Sequence, residues 1–101
     1  MPDLNSKMTQ LEEFIDASIE SSAELNHIPT RFMEMRRKLG TIAAIKRLVE
    51  QSEEQSGFKW ARASGLLDWS LEAAVVKFPE LFAGITIGYA KARLAGCFAN
   101  V

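Results

Sequence analysis

The sequence is poor in the side chains that build catalytic and metal sites: its 101 residues include one histidine, His27, and one cysteine, Cys97. A zinc site takes three or four cysteine, histidine or carboxylate ligands, and a nucleophilic cysteine needs a base beside it. These two residues lie far apart in the chain, and no glycine-rich phosphate loop is present. We therefore predict no catalytic residue, no metal site and no cofactor, and a protein that is not an enzyme.

Long apolar runs are also missing. No run approaches the roughly 18 residues that a membrane-spanning helix needs, and the first residues lack the basic and apolar segments of a secretion signal. One cysteine cannot form an internal disulfide, which favours a reducing compartment. We expect a cytoplasmic protein without membrane contact.

Proline and glycine are sparse, at three and six residues, which leaves long stretches free to form helices. The apolar fraction of 48% and the charged fraction of 25% are ordinary for a globular protein, and the length fits one domain over residues 1–101. Apolar residues recur at helical spacing along most of the chain. The fold class predicted is all-α, a compact bundle of about six short helices at residues 10–23, 30–38, 42–50, 58–64, 70–77 and 85–95.

Several polar residues and glycines are placed as helix caps. Thr9 is expected to cap the first helix and Thr41 the third, while either Asp68 or Ser70 suits the start of the fifth. Gly96 is expected to end the last helix. These caps define the predicted helix boundaries.

Two acids in the same region raise the question of acid–base chemistry. Asp68 and Glu72 are four residues apart and therefore share a helix face. Paired carboxylates act as acid and base only where burial shifts the pKa of one of them. We interpret Asp68 as a cap and Glu72 as an acid favoured by the helix dipole, because these roles explain position as well as residue type.

Charge is unevenly distributed, although the net charge is only −1. Residues 1–25 hold six acids and one lysine, which predicts an acidic N-terminal helix. Residues 30–47 hold one acid and six basic residues that are possible nucleic-acid contacts: Arg31, Arg36, Arg37, Lys38, Lys46 and Arg47. In the interpretation that we favour, the acidic helix neutralises this segment, within one chain or between two copies.

Some apolar side chains exceed what one buried stripe per helix requires. Met33, Met35, Trp60 and Trp69 are the candidate interface residues, since methionine and aromatic residues are enriched at protein interfaces. The alternative is that these side chains fill the core of the bundle. The sequence leaves both possibilities open.

Landmarks in the second half of the chain follow a recognisable order. Gly57-Phe58 is followed by Gly65, and then come the motifs Leu67-Asp68-x-Ser70-x-Glu72, Leu81-Phe82 and Ala90-x-x-Arg93-Leu94. Over residues 28–98 the chain resembles a widespread family of small, uncharacterised bacterial proteins. The resemblance implies no activity, but it implies an origin in mobile or accessory bacterial DNA.

The chain departs from this family at the start of the last helix. Ala83, Gly84 and Gly88 stand where the resemblance leads us to expect a serine or threonine cap and helix-favouring residues. The first 25 residues lie outside the resemblance and are expected to be specific to this protein.

Together these features predict a non-catalytic helical protein that associates with itself or with another protein. The alternative is an accessory protein that binds nucleic acid through the basic segment 31–47.

Overall fold

The computed structural model describes residues 3–51 and 56–99, with side chains described up to residue 96. This part of the chain confirms the predicted all-α bundle of about six helices and contains no strand. The helices are α1 (Leu4–Glu24), α2 (Thr30–Leu39), α3 (Thr41–Val49), α4 (Ser56–Ala63), α5 (Leu71–Lys77) and α6 (Gly84–Ala99). Short 3-10 turns precede and follow α5, at Leu67–Trp69 and Pro79–Leu81.

The first helix begins more than a turn before its predicted start. Asp3 is its N-cap, and the Asp3 carboxylate accepts a hydrogen bond from the Asn5 backbone N–H at 3.0 Å. The prediction that Thr9 is the cap was wrong, because Thr9 lies inside the helix and its hydroxyl donates to the Asn5 carbonyl at 3.1 Å.

The second and third helices form a hairpin around one glycine. Gly40 has a φ of +90°, which a residue with a Cβ rarely adopts, and this conformation separates α2 from α3. Thr41 is the first residue of α3 but does not cap it, contrary to the prediction. Its buried hydroxyl instead donates to Glu12 and accepts from Arg36, so it joins the hairpin to α1.

The fifth helix is capped by Ser70, one of the two predicted candidates. The Ala73 backbone N–H donates to the Ser70 hydroxyl at 3.1 Å, and this hydroxyl donates to the Leu67 carbonyl at 2.7 Å. Asp68 is exposed within the preceding 3-10 turn and makes no capping bond. Gly65, at a φ of +75°, follows the end of α4.

The core lies where α1, α2, α3, α5 and α6 meet. The residues buried there are Leu11, Ile15, Phe32, Ala44, Ile45, Leu48, Val49, Ala74, Val75, Phe78 and Ala90. The last helix passes through Gly96 and continues to Ala99, so the predicted end at Gly96 was wrong. A helical glycine lowers stability without ending a helix by itself.

None of the helices in the described ranges combines the length and the apolar character that crossing a membrane requires.

Candidate functional site

A cavity of about 310 Å³ opens between α1, the α1–α2 connection, α4 and the turn before α5. We call it the aromatic cleft. Phe58, Trp60 and Trp69 supply its aromatic surface, and Ile15 and Ile19 of α1 form an aliphatic wall. Because the walls come from five separate stretches of chain, no local sequence pattern could have revealed this cavity.

The imidazole of His27 stacks on the indole of Trp60 at the aromatic cleft. Their ring centroids are 4.0 Å apart, with 12° between the ring planes. The turn after α1 positions the histidine: Asn26 adopts a φ of +62°, and the His27 backbone N–H donates to the Ser22 carbonyl at 3.0 Å. The lone histidine is therefore half-buried in a cavity wall.

Trp69 is held on the other side of the cleft by contacts with α1. Its indole stacks on Phe14, with ring centroids 5.1 Å apart, and its backbone carbonyl accepts a hydrogen bond from the Ser18 hydroxyl at 2.6 Å. The Phe14 ring also meets Phe78 edge-on at 5.9 Å. These contacts join α1 to the turn before α5, two of the segments that line the cleft.

The charge of the cleft is one-sided among the described residues that line it. Arg31 supplies a guanidinium, and no lining residue in the described ranges is an aspartate or glutamate. Arg31 is exposed and makes no ion pair with any described side chain. The cleft therefore offers a positive group next to an aromatic surface.

The basic segment is partly neutralised by α1. The Arg36 guanidinium lies 2.9 Å from a Glu12 carboxylate oxygen and 2.8 Å from an Asp16 oxygen. Partial burial acts to lower the pKa of Arg36, but the hydrogen bonds and charges of the two acids outweigh it and raise this pKa above its ordinary value. One of the six basic residues thus pairs with the acidic helix.

The other five basic residues do not contact the first helix through a described ion pair. Lys46 of α3 pairs at 2.9 Å with Glu50, the residue that caps the C-terminal end of this helix. Four side chains are exposed and form no ion pair within the described ranges: Arg31, Arg37, Lys38 and Arg47.

The four candidate interface residues lie in three different places. Trp60 and Trp69 both line the aromatic cleft. Met35 is partly buried against the core. Met33 is 39% exposed and lines a separate shallow groove together with Arg37. The structure therefore does not gather them into one surface, and the side chain of Cys97 lies outside the described residues.

Two side chains on the inner side of α6, Arg93 and Thr86, form polar contacts with other parts of the fold. Arg93, nearly buried, lies with its guanidinium 3.3 Å from the carboxylate of the fully buried Glu72, and it also donates to the carbonyls of Leu48 and Gln51. The buried Thr86 hydroxyl donates to Glu50. Glu72 was expected to be an acid favoured by the helix dipole, and its burial against Arg93 was missed because its sequence position gives no sign of the partner.

The solvent side of α6 is apolar. We call the row Ile85, Gly88, Tyr89 and Ala92 the α6 outer face; all four residues are exposed and follow helical spacing. Ile85 is 61% exposed, more than any other large apolar side chain in the described ranges. Lys91 is the one charged residue among the exposed positions of this helix up to residue 96. The helix therefore has an exposed apolar row on its solvent side, in addition to Ala90 and Ile87 on the side that packs against the core.

Comparisons with known protein families, curated proteins and solved structures find no match to this chain. The resemblance to small bacterial proteins thus stays a prediction, and function has to be argued from these surfaces.

Proposed function

We propose that this chain is a non-catalytic helical protein that acts by associating with a second copy of itself through the α6 outer face. The observation that carries the proposal is an exposed apolar row with Ile85 and Tyr89 on a helix whose inner side already packs Ala90 into the core. Single exposed apolar residues are common on monomers. A continuous row with few charges and an aromatic residue is typical of the centre of a protein interface.

The glycines of α6 support close approach by another chain. A Cβ added at Gly88 or at Gly96 would meet no atom within 4 Å, so packing within the described chain does not require either glycine. Each glycine inside a helix costs about 1 kcal/mol relative to alanine. Contact with a second backbone gives a physical reason for retaining Gly88 on an exposed surface.

A second copy fits this row better than an unrelated surface does, because the row is self-complementary. When two α6 helices cross antiparallel about a two-fold axis between positions 88 and 89, Ile85 faces the partner's Ala92 and Tyr89 faces the partner's Gly88. Each large side chain then meets a small one, which is the packing that a two-fold interface requires.

Light scattering at micromolar protein tests the proposal. We expect a mass near twice the 11.2 kDa of the chain, and we expect Ile85→Asp or Tyr89→Asp to reduce it to that of the monomer because a carboxylate would be buried in the interface. Leu4→Asp is the matched control, since Leu4 is similarly exposed at 55% but lies on α1. A parent chain that stays monomeric at high concentration would contradict the proposal.

Nucleic-acid binding is the second candidate, and it is favoured by the four cations of the basic segment that form no ion pair with a described side chain. Binding through Arg31, Arg37, Lys38 and Arg47 would weaken steeply with salt, in proportion to the phosphates contacted. The variant Arg37→Glu with Lys38→Glu should abolish it without unfolding the chain, because both residues are exposed. Arg36 is unsuitable for this test, because its reversal would break the contacts to Glu12 and Asp16.

Lys59→Glu combined with Lys91→Glu is the control for that experiment, since it changes the net charge by the same amount at two exposed positions outside the basic segment. Absence of binding to single or double strands at low salt would remove this candidate.

We extend the proposal to location and origin. The single cysteine supports a cytoplasmic protein, and the resemblance to small bacterial proteins supports an origin on a mobile element.

A further inference from the structure

We propose that the aromatic cleft binds a small monocarboxylic acid with an apolar or aromatic body. This site is formed by α1, α4 and the segments beside them, and does not involve the α6 outer face. The inference therefore stands independently of self-association.

The size of the cleft favours a small molecule. Ligand pockets generally measure about 300–1,000 Å³, and the cleft, at about 310 Å³, is at the lower end of that range. Its walls surround a compact space instead of following one helix, so it suits a short ligand better than a peptide helix.

The surface of the cleft favours an apolar body. Phe58, Trp60 and Trp69 all line the cleft; Phe58 is fully buried, and the two indoles are partly exposed. Trp60 is already held flat against His27, and Trp69 against Phe14. Since both indoles are fixed by stacking before any ligand arrives, binding orders few side chains, which favours affinity.

The charge of the cleft favours a carboxylate. Arg31 is a lining guanidinium without a described ion pair, and the described lining residues include no acid that would repel an anion or occupy the arginine. Guanidinium and carboxylate groups match each other through two parallel hydrogen bonds. Apolar surface for the body and Arg31 for the carboxylate together define the ligand class.

A pair of probes that differ in one group tests this assignment. Titration of the full chain with 3-phenylpropionate, followed by calorimetry and tryptophan fluorescence, should show saturable binding. The neutral amide of the same acid should bind about two- to fivefold more weakly, the difference that an ion pair with an exposed arginine makes.

Arg31→Gln should remove the preference for the acid over the amide while leaving the fold unchanged, because Arg31 is exposed. Arg37→Gln, an identical change on the same helix outside the cleft, should keep the preference. Ser22→Leu, which adds an apolar side chain at the α1 wall, should weaken both probes.

Equal binding of acid and amide by the parent chain, or a preference for the acid that survives Arg31→Gln, would overturn the assignment of a carboxylate ligand. Failure of both probes to bind at millimolar concentration would overturn the site itself.

Discussion

The guanidinium of Arg93 lies 3.3 Å from the carboxylate of Glu72, with 9% and 0% of the two side chains exposed. These residues belong to the last two helices, and Arg93 also reaches the carbonyls of Leu48 and Gln51 around the end of α3. One arginine thus joins α6, which carries the α6 outer face, to α5 and to the end of α3.

Replacing Arg93 by Met should destabilise the protein by about 3 kcal/mol or more, because it removes the cation beside a buried carboxylate. Urea unfolding at neutral pH measures the loss. Replacing Glu72 by Leu as well should restore part of the stability, since the buried charge is then gone. An Arg93→Met chain as stable as the parent would show that the pair does not stabilise α6.

The cap of α5 gives a prediction with an internal control. Ser70→Ala should cost about 1 kcal/mol, because it removes the hydrogen bond to the first turn of the helix. Asp68→Ala, two residues earlier, should change the unfolding free energy little, since Asp68 is exposed and caps nothing. Equal losses from the two variants would mean that Asp68 shares the capping role.

Thr86→Val should make the free energy of unfolding depend less on pH in the acidic range. The hydrogen bond from Thr86 and then that from Lys46 lower the pKa of Glu50 below its ordinary value of 4.5. The resulting stabilisation is complete above that value and is lost as the pH falls through the lowered pKa. The variant should therefore lose about 2 kcal/mol at pH 7, where Glu50 is charged, and less in acid.

Chemical unfolding of the parent and of Thr86→Val, from pH 7 down to the pH at which Glu50 is protonated, measures the difference in unfolding free energy. A loss that stays constant down to full protonation of Glu50 would argue that the Thr86 side chain acts through packing alone.

Gly88→Ala should have opposite effects on the stability of the monomer and on the affinity of the dimer. A methyl group at position 88 meets no atom within 4 Å, so the change should stabilise the monomer by about 1 kcal/mol through helix propensity. The same methyl should weaken the dimer, because it stands where the partner's Tyr89 packs. The melting temperature at low protein concentration should rise, while the mass measured by light scattering at high concentration should fall. Tighter association of the variant would refute the proposed contact.

Helix positions could be predicted from the sequence because they depend on local spacing. The break between the predicted helices 30–38 and 42–50 lies at Gly40 in the structure, and Ser70, one of two candidates, caps the fifth helix. Thr9 was mistaken for a cap because its pattern fits a helix start as well as a helix interior. The hydrogen bond between Asp3 and Asn5 shows that the helix starts before Thr9.

The surfaces could not be predicted, because they depend on which distant residues meet. The proposed neutralisation between the acidic and basic segments is real for Arg36, which reaches Glu12 and Asp16, but charge counts alone could not single out this arginine. The sequence identifies Trp60 and Trp69 as apolar residues beyond those that one buried stripe per helix requires. That they share a cavity with Arg31 follows only from the docking of α1.

The hydrogen bond from Ser18 to the Trp69 carbonyl joins residues 51 positions apart and bears on the order of folding. The α2–α3 hairpin closes over a single residue, whereas α1 must meet segments much later in the chain. Closing a longer loop costs more entropy, and local contacts form faster. We therefore expect α1 to dock late, so that the cleft, one wall of which is α1, exists only once folding is complete.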